Sequence, residues 1–233
     1  GALTRFAGWV ASGRWGGITH AIIRRFVRKY RVNMAEAAQP DITAYPSFNE
    51  FFTRALKDGA RPLAETPWEQ PLVHLHGRDY PVPRRVAWYG DPQASYGYSG
   101  LQHQPLPWTP LLAEIRQRVE VAVGASLNAV LLNLYRDGQD SMGWHSDNET
   151  LLGRNPLIAS LSLGGVRRFD LRRTGQNRIG HSLELQHGSL LVMGGTTQHY
   201  WQHQVAKTRR PCASRINLTF RWIATGHTGH SYE

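Results

Sequence analysis

Arg215-Ile216-Asn217-Leu218-Thr219-Phe220-Arg221 is the stretch on which the fold of this 233-residue chain turns. In an extended strand Arg215, Asn217, Thr219 and Arg221 fall on one face, and Ile216, Leu218, Phe220 and the following Trp222 on the other. The apolar face has the β-branched and aromatic character of a strand packed on a core. The polar face is harder to bury, because two arginines and an asparagine in line need an anionic partner away from water. A bound carboxylate meets that need, since the guanidinium fork matches carboxylate geometry. Taken alone, the segment is better served by a half-exposed strand with a solvated polar face, and it is the motifs upstream that favour the bound carboxylate.

Working upstream, short segments of strand character lie at 129–135, 158–163, 168–172, 182–186, 189–193 and 202–205, separated by Gly and Asn turns. One helix precedes them: Thr109-Pro110 is a cap and first-turn pair, Leu111, Leu112, Ile115 and Val119 make an apolar stripe, and Gly124 ends it. Many short strands after a few helices predict an α+β fold, a jelly-roll or double-stranded β-helix barrel with N-terminal helices.

Chemistry concentrates just before and within these strands. Asn133 and Tyr135 share a strand face, the residues from Arg136 to Asp140 form a polar turn around Gly138, and His145-x-Asp147 follows. A second His would complete a set of two His and one carboxylate with open positions, the donor set of non-haem Fe(II) oxygen chemistry. Spacing alone leaves that second His open among His187, His199 and His203.

From about residue 64 to 223 the chain resembles the AlkB-type family of Fe(II)- and 2-oxoglutarate-dependent nucleic-acid dealkylases. The residues carrying the likeness are Pro83-Arg84, Trp88-Tyr89-Gly90-Asp91, Tyr96-x-Tyr98-Ser99-Gly100, Asn133-x-Tyr135-x-x-Gly138-x-Asp140, His145-x-Asp147-x-Glu149, His187-Gly188-Ser189-Leu190-Leu191, Trp201-Gln202-His203 and Arg215-x-Asn217-Leu218-Thr219-Phe220-Arg221. The resemblance implies Fe(II) on His145, Asp147 and His203, leaving His187 and His199 structural. It implies 2-oxoglutarate held at its distal carboxylate by Arg215, with Tyr135 and Asn217 assisting, and near the iron by Arg221 with Asn133 close by. O2 is the third reactant. Tyr96, Tyr98 and Glu149 match the family's base pocket, whose aromatic faces and carboxylate suit a cationic N-methylated base. Arg84 and Arg85, Arg167-Arg168 and the Lys207-x-Arg209-Arg210 run are expected to meet phosphates. His76 stands near where relatives carry an apolar finger, which favours single-stranded DNA or RNA as the alkylated partner.

The first 63 residues read differently. They hold 10 basic and 4 acidic residues, against 17 and 13 in the rest, so most of the excess behind the +10 net charge lies outside the catalytic part. Ile18, Ile22, Phe26 and Tyr30 recur at helical spacing among Arg24, Arg25, Arg28 and Lys29, and Ser47-x-x-Glu50 has the form of a capping box before a second apolar stripe. Residues 3–63 resemble the N-terminal helices of bacterial phosphatidylserine decarboxylase proenzymes. No counterpart of that family's self-cleaving Gly-Ser segment follows, so no decarboxylase activity is expected. Two parts are therefore expected: a helical basic segment at 1–63 and a dioxygenase domain at 64–233. The basic helix at 18–30 suits a solvated surface as well as weak contact with an anionic membrane.

Composition bounds the rest. With 41% hydrophobic and 19% charged residues the chain is a folded globular protein. The single Cys212 excludes an intrachain disulfide, and no apolar run reaches the roughly 18 residues a span needs. These features predict a cytoplasmic protein, with peripheral inner-membrane contact through residues 18–30 and no obligate protein partner. At this stage the leading reading is direct-reversal dealkylation. An oxygenase of the same cofactor class acting on a protein or small molecule, and a non-catalytic membrane-associated fusion, stay open beside it.

Overall fold

The structure, a computed structural model, describes residues 39–45, 65–75, 77–94, 96–98 and 101–224, with the backbone alone at 44, 45, 75, 96–98 and 101–103. The helices expected at 18–30 and after Ser47, and His76, lie outside the described residues.

In chain order the strands are β1 (Ile42–Tyr45), β2 (Leu72–Leu75), β3 (Arg78–Pro81), β4 (Arg85–Gly90), β5 (Tyr96–Tyr98), β6 (Leu101–His103), β7 (Ala129–Tyr135), β8 (Met142–His145), β9 (Ile158–Gly164), β10 (Arg167–Arg173), β11 (His181–Leu185), β12 (Leu190–Met193), β13 (Trp201–Val205) and β14 (Arg215–Arg221). The described helices are α1 (Pro110–Val123) and the short α2 (Thr197–Tyr200). A major sheet runs β1-β12-β9-β14-β7-β4 and a minor one β11-β10-β13-β8. Every pairing within the two is antiparallel, giving the expected jelly-roll. The β2–β3 and β5–β6 hairpins stand apart as separate two-stranded ribbons.

Two apolar clusters hold these layers. Leu112, Ile115, Val119 and Val123 of α1 pack on Val130, Leu132, Leu161, Leu218 and Phe220 of the major sheet. Each such side chain contributes about 1.5–3 kcal/mol on leaving water. Helix α1 starts where Thr109 accepts a hydrogen bond from the Leu112 N–H at 3.2 Å, and stops at Gly124, whose φ of 65° is left-handed. The second cluster joins the sheets, with Tyr135, Ile158, Leu191 and Met193 from one and Phe169, Leu171, Trp201 and Val205 from the other.

Strand β14 is the centre of the major sheet, paired with β7 on one side and β9 on the other. Its apolar residues face α1 and its polar residues face the second sheet, so both faces are buried apart from a partly exposed Ile216. The solvated alternative for the polar face is thereby excluded.

Two expectations need correction. Trp222 was assigned to the apolar face, but it is 50% exposed and Ile223 is buried in its place. The Asn128 side chain takes the Ile223 N–H at 2.7 Å and donates to the Ile223 carbonyl at 2.8 Å, which ends the strand at Arg221 and turns the backbone. Residues 42–45 were assigned to the helical segment. They form β1 instead, with Ile42 opposite Met193 and Tyr45 opposite Leu190, because β12 would otherwise leave an unpaired edge. Among the described residues no helix is long and apolar enough to cross a membrane.

Candidate metal centre and its cavity

His145 ends β8 and His203 sits in mid β13, and the two are register partners across the minor sheet. Their ring centroids are 4.2 Å apart. Asp147 follows two residues after His145, just past the strand end, and the ligand atoms of the three side chains lie within 4.8 Å of one another. The His145 Nδ1 meets the Gly143 carbonyl oxygen at 2.8 Å; since a carbonyl only accepts, Nδ1 is the donor, and Nε2 is the ring atom toward Asp147, 3.9 Å from its Oδ1. Ring stacking on Phe169, at 5.2 Å, fixes His203.

The electrostatics suit a cation. Burial, joined by the nearby His145 and Arg221, lowers the His203 pKa to about 3, so at neutral pH its imidazole is an unprotonated ligand. Burial pushes the Asp147 carboxyl upward, but Arg221, His203 and His145 outweigh it and hold the group below its ordinary value. Arg221 Nη2 lies 3.5 Å from Asp147 Oδ2.

The triad opens on a cavity of about 270 Å³ between the sheets, whose far wall is β14 and β7. Arg215 pairs in register with Tyr135, and Asn217 with Asn133. The Arg215 guanidinium is 1% exposed and donates from Nη2 to Ser162 Oγ at 2.8 Å. Its Nε and Nη1 have no hydrogen-bond acceptor among the described residues. Burial lowers its pKa to about 10, with Arg167 adding to the effect and Tyr135 opposing it. A buried guanidinium with two spare donors is a receptor for a carboxylate. Asn217 is differently engaged. It donates to Ser160 Oγ at 2.8 Å and to the Leu161 carbonyl at 3.1 Å, and accepts from Thr219 at 2.8 Å, so it shapes the wall with both amide hydrogens already committed.

On the substrate side, Glu149 and Arg84 line the same cavity. Arg84 is 5% exposed and its Nε donates to Asn133 Oδ1 at 2.8 Å. It therefore faces the cavity interior, and the expected contact with phosphates on an open surface is corrected. Arg167 is corrected likewise: it is buried, with its guanidinium donating to the carbonyls of Asp137, Asp140 and Ala206 at 2.7–2.9 Å. Arg168 pairs with the buried Asp170 at 3.1 Å, while Lys207, Arg209 and Arg210 are exposed. Tyr96 and Tyr98 alternate with Gly97 on β5, opposite His103 and Leu101. His187 accepts from the Gly164 N–H at 2.9 Å and His199 bonds the Arg154 carbonyl, both away from the triad. Sequence reasoning missed Gln198, whose Oε1 accepts the Asp147 N–H at 2.9 Å, and the Phe169 platform. Neither carries a local signal, since a lone Gln and a strand Phe are unremarkable until tertiary pairing sets them beside the metal ligands.

The family model described as 2OG-Fe(II) oxygenase superfamily matches residues 48–221. The chain belongs to this superfamily, and within it to the AlkB-type family. Alpha-ketoglutarate-dependent dioxygenase alkB homolog 3 of Rattus norvegicus is 36% identical over 209 residues, covering 83% of this chain and 68% of that protein. DNA oxidative demethylase ALKBH2 of Bos taurus is 41% identical over 159 residues, covering 65% and 57%. Among solved structures, OsALKBH1 aligns with a TM-score of 0.54 at 19% identity over 78% of this chain and 98% of that one, a likeness of fold. An oxidoreductase of the 2OG-Fe(II) oxygenase family from Burkholderia pseudomallei aligns with a TM-score of 0.52 at 13% identity over 91% and 96%. A second family model, PSD, matches residues 1–31. Over 63 residues the chain is 79% identical to the phosphatidylserine decarboxylase proenzyme of Methylibium petroleiphilum, which is 27% of this chain and 22% of that protein.

The chain is thus an Fe(II)- and 2-oxoglutarate-dependent dioxygenase, and its residues fit both groups: two His side chains with one carboxylate for iron, and a buried cation with spare donors for a dicarboxylate. When bound, iron, 2-oxoglutarate and O2 supply a two-electron oxidation of a C–H bond, with succinate and CO2 as co-products.

Proposed function

We propose that this dioxygenase removes N-alkyl groups from bases of the 1-methyladenine and 3-methylcytosine type in DNA or RNA, single strands favoured. The observation that carries the reading is Glu149: a half-buried acidic side chain lines the cavity two residues beyond Asp147, in a wall that also carries the exposed Glu69 and the cations Arg84, Arg215 and Arg221. An anionic co-substrate accounts for the arginines, and a ring nitrogen bearing positive charge accounts for the carboxylate. The similarity to a DNA oxidative demethylase supports the same substrate class. Single strands spare the cost of unpairing the base, and the exposed Lys207, Arg209 and Arg210 are available to the backbone.

In this reading His145, Asp147 and His203 hold the iron, Arg215 with Tyr135 receives the distal carboxylate, and Arg221 the one nearer the metal. Asn133 and Asn217 set the wall, and Glu149, with Tyr96 and Tyr98, cradles the base. Hydroxylation of the N-alkyl carbon gives an N–CH2OH group. Its C–N bond then breaks with the electron pair returning to the ring nitrogen, the hydroxyl proton leaves, and formaldehyde departs from the restored base.

The test is parallel measurement of succinate and formaldehyde from anaerobically iron-loaded protein given O2, 2-oxoglutarate and a single-stranded oligonucleotide bearing 1-methyladenine or 3-methylcytosine. Matched release of both is expected. Succinate without formaldehyde would move the substrate to a protein or small molecule.

A further inference from the structure

Gln198 is buried on α2, 1% exposed, and its Oε1 accepts the Asp147 N–H at 2.9 Å. The other end of the same amide donates to Met193 Sδ at 3.7 Å. Both neighbours of Gln198 lead to β1. Met193 is the register partner of Ile42. Thr197, 1% exposed, accepts the Asp41 N–H on its Oγ1 at 2.8 Å and returns its own hydroxyl to the Asp41 carbonyl at 3.2 Å. That carbonyl also takes the Gly194 N–H at 2.9 Å. The turn can close on Asp41 because Gly195 has a φ of +55° and no side chain; a Cβ there would stand 2.7 Å from Asp41 Oδ2.

We propose that Gln198 is a positioning residue for the metal ligand Asp147, and that residues 39–45 act as a strap holding α2, and so Gln198, in place. The proposal rests on the triad being the metal site. A carboxylate ligand two residues past a strand end has no ladder to fix its backbone, and the Gln198 hydrogen bond supplies that restraint. The segment before the dioxygenase core is then part of the site's support: Asp41, in the stretch similar to a decarboxylase leader, reaches the iron ligand through Thr197 and Gln198.

The test uses the full-length chain, chelator-treated, titrated anaerobically with Mn(II) and read by electron paramagnetic resonance of the free ion. Partners that orient a ligand are worth about 10- to 100-fold in metal affinity. Gln198→Met, which keeps length and apolar packing but has no strong acceptor, is expected to lose affinity within that range. Gln198→Glu keeps an oxygen at the same reach and is expected to recover most of it. Thr197→Val, which cuts the strap without touching Asp147, is expected to lose about tenfold. Equal losses in the Met and Glu variants would mean packing alone and overturn the positioning role. Wild-type affinity in Gln198→Met would do the same while leaving the metal site standing. Asp147→Ala is the control for the site itself; if it kept wild-type Mn(II) affinity, the triad assignment would fall and this inference with it.

Discussion

Tyr135 and Arg215 are register partners on β7 and β14, and the Arg215 guanidinium carbon lies 5.2 Å from the centroid of the Tyr135 ring. The ring's negative face supports the cation, while Nε and Nη1 have no acceptor among the described residues. Arg215→Met should therefore act in opposite directions on binding and folding. Affinity for 2-oxoglutarate should fall by about 2–5 kcal/mol, thirty-fold or more, because the substrate carboxylate loses a buried charged partner. Without 2-oxoglutarate the variant should unfold at equal or higher denaturant, since a desolvated guanidinium has been replaced by an apolar chain. Titration by isothermal calorimetry and urea unfolding check the two halves. A less stable variant with unchanged affinity would mean that Arg215 is a structural cation.

Arg167 is a structural cation beside the same ring, 5.6 Å from its centroid. It joins the turn at Asp137 and Asp140 to Ala206. Arg167→Met leaves three carbonyls without their donor and should cost about 2–4 kcal/mol of stability. Unfolding midpoints in urea measure it, and the 2-oxoglutarate affinity of the folded fraction should change far less than in Arg215→Met.

These two arginines mark the limit of what the sequence makes legible. The alternation of Arg215 to Arg221 and the segments at 129–135 and 202–205 carry period-two patterns strong enough to fix the central strands, and β7 falls on its expected residues. The strands β4, β8 and β1 are not legible. Edge and short strands bury one side against elements distant in sequence, so β4 reads as a run of mixed polarity and β8 is too short for a period. Arg167 and Arg84 look like surface cations because nothing local records their burial; only the tertiary fold supplies their acceptors. The pair His145 and Asp147 was legible because ligand chemistry restricts residue type at two close positions, whereas His203 was singled out only by the likeness to the family pattern. Gln198 was not, because a backbone acceptor can come from any polar side chain that reaches.

Acid should unfold the metal-free protein partly through His203. Its folded pKa is about 3 against an ordinary 6.5, so between those values the unfolded chain binds a proton that the folded chain refuses. Stability is fully present above the ordinary value and is lost as pH falls through the window, by at most about 1.4 kcal/mol per pH unit for one group. Asp140, held low by its hydrogen bond to Arg136, and Asp147 add losses of the same sign below the ordinary 3.8. In a series of urea midpoints against pH with chelator present, His203→Gln should flatten the slope across the histidine window. A variant slope equal to wild type would remove His203 as its source.

Gly138 should tolerate no side chain, for a reason unrelated to backbone angle. A Cβ there would stand 2.4 Å from the Thr208 carbonyl oxygen, where Thr208 donates its N–H to the Gly138 carbonyl at 2.8 Å. The contact fastens the loop carrying Lys207, Arg209 and Arg210 to the turn after Tyr135. Gly138→Ala should cost about 1–3 kcal/mol through displaced backbone. Faster proteolysis within 206–214 than in wild type is the local readout, and an unchanged cleavage rate would show that the loop is held elsewhere.

Glu149 offers the sharpest division between the cavity's two tasks. Arg84, Arg215 and Arg221 give the cavity positive charge suited to a dicarboxylate, which by itself repels a cationic base. Glu149 offsets that repulsion only if its carboxylate is ionised and close to the base. Glu149→Gln keeps the length of the side chain, turns one acceptor oxygen into a donor and removes the charge, so it should lower kcat/KM for a base carrying positive charge by about 1.5–3 kcal/mol, ten-fold or more. For an alkylated base that is neutral at the same pH the loss should be much smaller. Succinate formed without nucleic acid should not change, because neither the iron ligands nor the arginines are altered. Equal losses on charged and neutral lesions would mean that Glu149 positions the base by shape or hydrogen bonding, and the electrostatic account of the pocket would have to be abandoned.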